Sequence, residues 1–132
     1  MNRSPELLGK VQTEFFGTPV LFDGIRMGNC APTDIDGLIE YHNKAYLFLE
    51  WKYGNAQVPT GQMLALTRLA DDLTKTGKMV AVFICRHRDT GEVKGKDALV
   101  TDVYINSTWR HPTHPRTVQE MAERFCAWVD SL

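Results

Sequence analysis

The chain has 132 residues, 43% of them hydrophobic, with a formal net charge of −1 and a pI near 6.4. That length suits a single domain spanning 1–132, and the apolar content excludes an intrinsically disordered chain. The near-neutral balance excludes a binder that grips nucleic acid through a strongly basic surface, so any such contact must come from local charge, from a bound cation, or from both.

No apolar run approaches the roughly 18 residues of a membrane span, and Met1-Asn2-Arg3-Ser4-Pro5-Glu6 leads into nothing that suits a signal peptide. Three cysteines, Cys30, Cys85 and Cys126, form no CxxC pair. Cys85 and Cys126 read as small buried hydrophobes, which points to a reducing, cytoplasmic setting. In chain order, Ser4 caps a predicted helix with Pro5 at its first position and Gly17 just past its end. Its buried stripe is Leu7, Leu8, Val11 and Phe15. A short extended piece, Pro19 to Phe22, leads into a turn-rich loop, Asp23 to Pro32.

A hairpin follows, with strands Asp36 to Tyr41 and Ala45 to Lys52 joined at His42-Asn43-Lys44. The second strand is apolar apart from Glu50 and Lys52, as a central strand should be. Pro59 opens a helix that runs to about Thr76 and stops at Gly77, with Leu66, Leu69, Ala70 and Leu73 on its apolar face. Met79 to Cys85 is a continuous apolar strand, and strand–helix–strand order predicts a parallel pair with a right-handed crossover. Asp89-Thr90-Gly91 turns the chain, Asp97 to Asn106 forms a further strand, and Pro115 opens a last helix. The stripe of that helix is Val118, Met121, Ala122, Phe125, Trp128, Val129 and Leu132. The predicted order is α-β-β-β-α-β-β-α, an α/β fold with a central mixed sheet.

The chemistry gathers on the hairpin. Side chains alternate along a strand, so Glu50 and Lys52 share one face and Trp51 points the other way. With a three-residue loop Tyr41 pairs with Ala45, and counting back sets Asp36 opposite Glu50, with Cβ atoms roughly 5 Å apart. A two-residue loop would make the pair diagonal. Two carboxylates that close repel unless a cation lies between them. Hard oxygen ligands, few in number, suit Mg²⁺ or Mn²⁺, and no Cys or His in the cluster argues for zinc. Lys52 would orient an attacking water or neutralise developing charge. The alternative is a cross-strand salt bridge between Lys52 and the carboxylates, which is costly to bury in an apolar strand.

These residues resemble a known family. Thirteen residues separate Asp36 from Glu50, and Lys52 follows two later, on a hairpin with a helix before and after. This pattern, carried by Ile35-Asp36-Gly37-Leu38-Ile39 and Leu47-Phe48-Leu49-Glu50-Trp51-Lys52, resembles the PD-(D/E)XK nuclease superfamily. The resemblance covers roughly two thirds of the chain and implies a restriction-endonuclease-like α-β-β-β-α-β core, with resolvase-like members among its kin. It implies that Asp36, Glu50 and the backbone carbonyl of Trp51 bind the metal and that Lys52 is the catalytic lysine. Gln62 resembles the glutamine that several subfamilies carry on the next helix, and Glu14 the acidic residue some place on the first. Ile35 stands where the pattern has Pro, with Pro32-Thr33-Asp34 a looser echo upstream.

The function this implies is Mg²⁺- or Mn²⁺-dependent phosphodiester hydrolysis, of DNA rather than RNA, structure-selective or non-specific. The small size would suit a phage or mobile-element protein. A homodimer is compatible with it, with Phe125, Trp128 and Val129 as interface or as core, and so is a partner protein that supplies specificity. The rival is a catalytically silent module that binds nucleic acid or protein on the same fold; a metal hydrolase of some other phosphate ester is a third reading. Asp34 is a loop cap or a further ligand. Arg86, Arg88, Lys94 and Lys96 bracket a turn as a candidate phosphate grip or as a solvated loop. His111 and His114 have ligand-like spacing in a proline-rich loop, and Trp109 is a base-stacking or a core residue.

Overall fold

The computed structural model describes residues 20–132. The predicted first helix and Glu14 lie outside them, as does Pro19. No strand forms at Val20–Phe22, and the loop that follows carries one isolated bridge, Met27 with Cys30.

Among the described residues the chain forms a mixed six-stranded sheet with two helices. The strands are β1 (Gly37–Tyr41), β2 (Ala45–Tyr53), β3 (Met79–His87), β4 (Leu99–Ile105), β5 (Thr108–Arg110) and β6 (Arg116–Thr117). The helices are α1 (Thr60–Lys75) and α2 (Val118–Asp130), and a 3₁₀ turn covers Gly95–Asp97. The sheet order is β1-β2-β3-β4-β5, with β6 also on β4. Strands β2 and β3 are parallel, as expected from the intervening helix, and every other pair is antiparallel.

The β1–β2 turn sets the register on which the candidate site depends. His42 and Asn43 both adopt positive φ, 48° and 59°, and the Lys44 N–H donates to Tyr41 O at 2.8 Å. This is the turn handedness that matches strand twist. Beyond this turn Tyr41 pairs with Ala45, and the ladder runs back to Gly37 opposite Leu49. The edge strand is also tied at its far end, where the Tyr41 hydroxyl donates to the Asp130 carboxylate of α2 at 2.8–2.9 Å.

Alternation along β2 and β3 gives each helix its own core. Phe48, Val80, Val82 and Ile84 pack with Leu66 and Ala70 of α1, while Leu47, Leu49, Ala81, Phe83 and Cys85 pack with Val118 of α2. Burial among these residues pushes the Cys85 thiol up to about 12, so it stays a neutral packing group.

Helix α1 buries Gln62, Leu66 and Ala70, one residue per turn. Leu69, expected on this face, is instead 37% exposed, while Met63, Leu66, Ala70 and Leu73 pack against the core. Gly77, just past the helix end, takes φ 93°, the left-handed conformation a glycine terminator adopts without strain.

Three further expectations are corrected. The strand predicted from Asp97 to Asn106 begins at Leu99, because Gly95–Asp97 wind into the 3₁₀ turn. A positive-φ turn at Asn106 and Ser107 then starts a separate strand, β5. Pro115 does not open the last helix. Arg116 and Thr117 first pair with β4, and Thr117 caps α2 through a reciprocal capping box with Glu120. Leu132 lies beyond that helix, 75% exposed. The apolar face of α2 is spent largely on the core, with Val129 buried and Phe125 packed against the sheet.

Candidate active site

The last step of the β1–β2 register brings Asp36, immediately before β1, alongside Glu50. Glu50 is 0% exposed in a central strand, between β1 and β3. Asp36 Oδ2 accepts a hydrogen bond from the Trp51 N–H at 2.8 Å, which fixes its carboxylate against β2. Gln62 reaches down from the first turn of α1, where its Nε2 donates to Glu50 Oε1 at 2.8 Å and to the Asp34 carbonyl at 3.1 Å. Lys52 Nζ lies 3.8 Å from Glu50 Oε1, with its side chain 15% exposed. Four residues singled out from the sequence, Asp36, Glu50, Lys52 and Gln62, thus converge at one point on the α1 face.

Burial, then hydrogen bonding and repulsion from Asp36, push the Glu50 carboxyl from its ordinary 4.5 up to about 7, against the opposing pull of Lys52 and Gln62. Burial outweighs the lysine because desolvation of a carboxylate costs more than one ion pair at this distance returns. Near neutral pH Glu50 therefore retains its proton in part.

Whether this donor set fits a divalent cation turns on ligand number and hardness. Among the described residues no group of three or more His, Cys, Asp and Glu gathers to hold a metal. Two close carboxylates are nevertheless what Mg²⁺ or Mn²⁺ needs, because such ions commonly take one or two carboxylates and fill the remaining positions with water and substrate phosphate. The proton that Glu50 retains in part is one a cation would replace. The residues fit. The Trp51 backbone group seen at this site is its N–H; its carbonyl as a ligand comes from the family resemblance. Asp34 contributes its carbonyl to Gln62, and its carboxylate Oδ2 is buried.

The opposite side of β2 holds the site in place. The Trp51 indole donates from Nε1 to Gly95 O at 3.1 Å and lies over Gly37 and Gly95. A Cβ on Gly95 would meet Trp51 Cζ2 at 2.8 Å, and one on Gly37 would meet Cζ3 at 3.1 Å. Both glycines are therefore there for close approach to the ring. Gly95→Ala is expected to displace the indole or the 3₁₀ turn and to lower stability by about 1–3 kcal/mol, measured by denaturant unfolding.

The basic residues divide. A groove of about 650 Å³ is lined by Arg86, Arg88 and Lys94, but also by Asp89, Glu92 and Asp97, so its charge is balanced. Arg86, the register neighbour of Lys52, donates to the carbonyls of Gly54 (3.0 Å) and Ala56 (2.7 Å) and so clamps the β2–α1 loop. Arg88 lies against Gly54 at one side of the groove, and Lys96 is exposed and outside its lining. Trp109 packs on Tyr104 with ring centroids 5.1 Å apart, in the core beneath α1. His111 pairs with Asp102, at 2.5 Å from Nδ1 to Oδ1, a contact the sequence reading missed. The signal was the Asn106-Ser107 turn: once that is seen, counting outward from it sets Asp102 against His111.

Comparison with family models, with curated proteins and with solved structures gives no match to this chain. No helix among the described residues is long and apolar enough to cross a membrane. The functional reading therefore rests on the residues themselves.

Proposed function

We propose that the protein is a Mg²⁺- or Mn²⁺-dependent nuclease with a restriction-endonuclease-like core, cutting phosphodiester bonds in DNA in preference to RNA. The observation that carries this reading is the fully buried Glu50 beside the part-buried Asp36, with Lys52 3.8 Å and Gln62 2.8 Å from Glu50. A carboxyl pair with a lysine is expensive inside an apolar sheet. Placing it at the mouth of a hairpin, beside a crossover helix, gives up stability for chemistry. The β1–β2 hairpin, crossover helix α1 and parallel β3 correspond to the last four elements of the α-β-β-β-α-β core that the family resemblance implies; its first helix lies outside the described residues and no strand forms at Val20–Phe22.

In this reading Asp36 and Glu50 hold the cation, with Trp51 O beside them. When bound, the cation supplies charge to the phosphoryl oxygens and lowers the pKa of a coordinated water. Lys52 shares the face of Glu50, where its ammonium orients the attacking water and offsets charge that develops on the phosphate. Gln62 fixes the rotamer of Glu50 through its hydrogen bond to Oε1 and so orients the carboxylate beside Asp36. Glu14 is a proposed additional carboxylate by the same resemblance.

The test is cleavage of single-stranded, duplex and branched DNA, and of RNA, in Mg²⁺, Mn²⁺ and EDTA. Metal-dependent cutting that Glu50→Ala and Lys52→Ala both abolish supports the reading. A folded wild-type protein that binds nucleic acid and cuts none of these substrates sinks it and leaves the silent binding module. Gln62→Ala is expected to reduce cleavage about 10- to 100-fold, as loss of a ligand-orienting contact does. Initial rates at saturating metal check this, beside a thermal melt that confirms folding.

A further inference from the structure

A second polar pair lies on the same face of the sheet. Glu50 pairs with Ile84 across β2–β3, and Ile84 with Asp102 across β3–β4, so Asp102 stands in the row that starts at Glu50. Next to it, one residue past β5, is His111. The imidazole Nδ1 lies 2.5 Å from Asp102 Oδ1, and Thr101 Oγ1 donates to Oδ2 at 3.0 Å. The His111 side chain is 69% exposed, and that of Asp102 24%. An exposed ring gains little for the core by being held so closely. Committing Nδ1 leaves Nε2 for a ligand in a fixed ring orientation, which is what a carboxylate behind a histidine achieves.

Distance decides what that ligand is. At about 4.8 Å per strand, the backbone of Asp102 stands about 10 Å from that of Glu50 and His111 about 14 Å. That is too far to act on a phosphate held between Asp36 and Glu50, and suited to a neighbouring phosphate of the same polynucleotide. Thr101, which holds Asp102, also lines the groove with Arg88 and Lys94, so the pair stands next to that groove. Arg86 is closer to the site, but its guanidinium is occupied by the carbonyls of Gly54 and Ala56.

We infer that His111, oriented by Asp102, is a substrate-binding residue that contacts a backbone phosphate flanking the scissile one. The substrate class rests on the nuclease reading above. Charged, the ring donates through Nδ1 to Asp102 and through Nε2 to a phosphate oxygen, both charge-assisted hydrogen bonds.

The test is fluorescence anisotropy of labelled single-stranded and duplex DNA with the full chain, without divalent metal, in mildly acidic buffer across a salt series. Wild type is compared with His111→Ala, His111→Gln and His111→Arg, each first shown to be folded by thermal melt. His111→Ala and His111→Gln are expected to weaken binding roughly 3- to 10-fold. They should also flatten the dependence of log affinity on log salt by about 0.9 for duplex and about 0.7 for single strands. His111→Arg should restore that slope, which a merely structural histidine would not allow. Equal affinity and slope in all four proteins overturns the inference, as does a wild type that binds no DNA. Cleavage in Mg²⁺, run beside it, separates the two claims. Cutting with unchanged binding leaves the nuclease reading standing alone, whereas a changed slope without cutting leaves the phosphate contact standing alone.

Discussion

Glu50→Gln is expected to make the metal-free protein more stable at neutral and alkaline pH while abolishing cleavage. Glu50 is fully buried, and its carboxyl is pushed from 4.5 up to about 7, first by burial and then by Asp36. Because the folded-state value is the higher one, the folded protein holds the proton more tightly than the unfolded chain. Below pH 4.5 both states are protonated and there is no cost. Between 4.5 and about 7 the unfolded chain loses its proton first, so stability falls as pH rises, by about 1.4 kcal/mol per pH unit. Above about 7 the loss levels off, at about 3 kcal/mol.

Glutamine is isosteric and has no proton to lose. Its amide can still accept from Gln62 and can donate to Asp36, so it keeps the contacts without the titration. Denaturant unfolding of both proteins in EDTA from pH 4 to 8.5 checks this: the difference between them should open between 4.5 and 7 and then stay level. Mg²⁺ or Mn²⁺ should narrow the gap by stabilising wild type alone. A variant less stable than wild type at pH 8 would mean that Glu50 is held by contacts favouring the charged form, and the account of the pair would fail.

Lys52→Met is expected to lower kcat by about 10²- to 10³-fold, the scale for losing one preorganised charge at a reacting centre, with KM little changed. Its ammonium is 3.8 Å from Glu50 Oε1 on a half-sheltered face, and no neighbour can replace it, since Arg86 beside it is committed to loop carbonyls. Met retains the aliphatic packing of the stem, and a thermal melt separates any change in stability from the change in kcat. Cation binding should survive, because Asp36 and Glu50 remain. Losses of kcat and of cation binding that run in parallel would contradict the separate roles given to Lys52 and to the carboxylates. Single-turnover rates with saturating metal distinguish the two.

The hairpin was legible in the sequence because local chemistry governs it. A three-residue loop sets the register, and the register sets Asp36 against Glu50. Gln62 was singled out through its resemblance to the glutamine several subfamilies carry on that helix, and it proves to stand on the buried stripe of α1, four and eight residues before Leu66 and Ala70. What escaped depended on tertiary pairing. Pro115 has the look of a helix opener, yet Arg116 and Thr117 are taken up by β4, and only then does the capping box at Thr117 start the helix. A bulge between Ile84 and Cys85 shifts the β3–β4 register and brings Thr101 to Asp102, and no local signal marks it. Arg86 and Arg88 read from the sequence as one basic cluster with Lys94 and Lys96. Their separation into a loop clamp, a groove wall and an outlying lysine follows from the turn geometry around Gly54 and Gly95, which composition does not encode.

The claim on which the rest depends is that Asp36 and Glu50 together form a divalent-cation site. Titration of wild type and Glu50→Gln with Mn²⁺ near pH 7.5, following bound metal directly by calorimetry or electron paramagnetic resonance, tests it without reference to any substrate. Wild type is expected to bind saturably, with release of a fraction of a proton as Glu50 ionises, and Glu50→Gln is expected to show no such binding. Equal Mn²⁺ binding by the two folded proteins, or none by either, would contradict it.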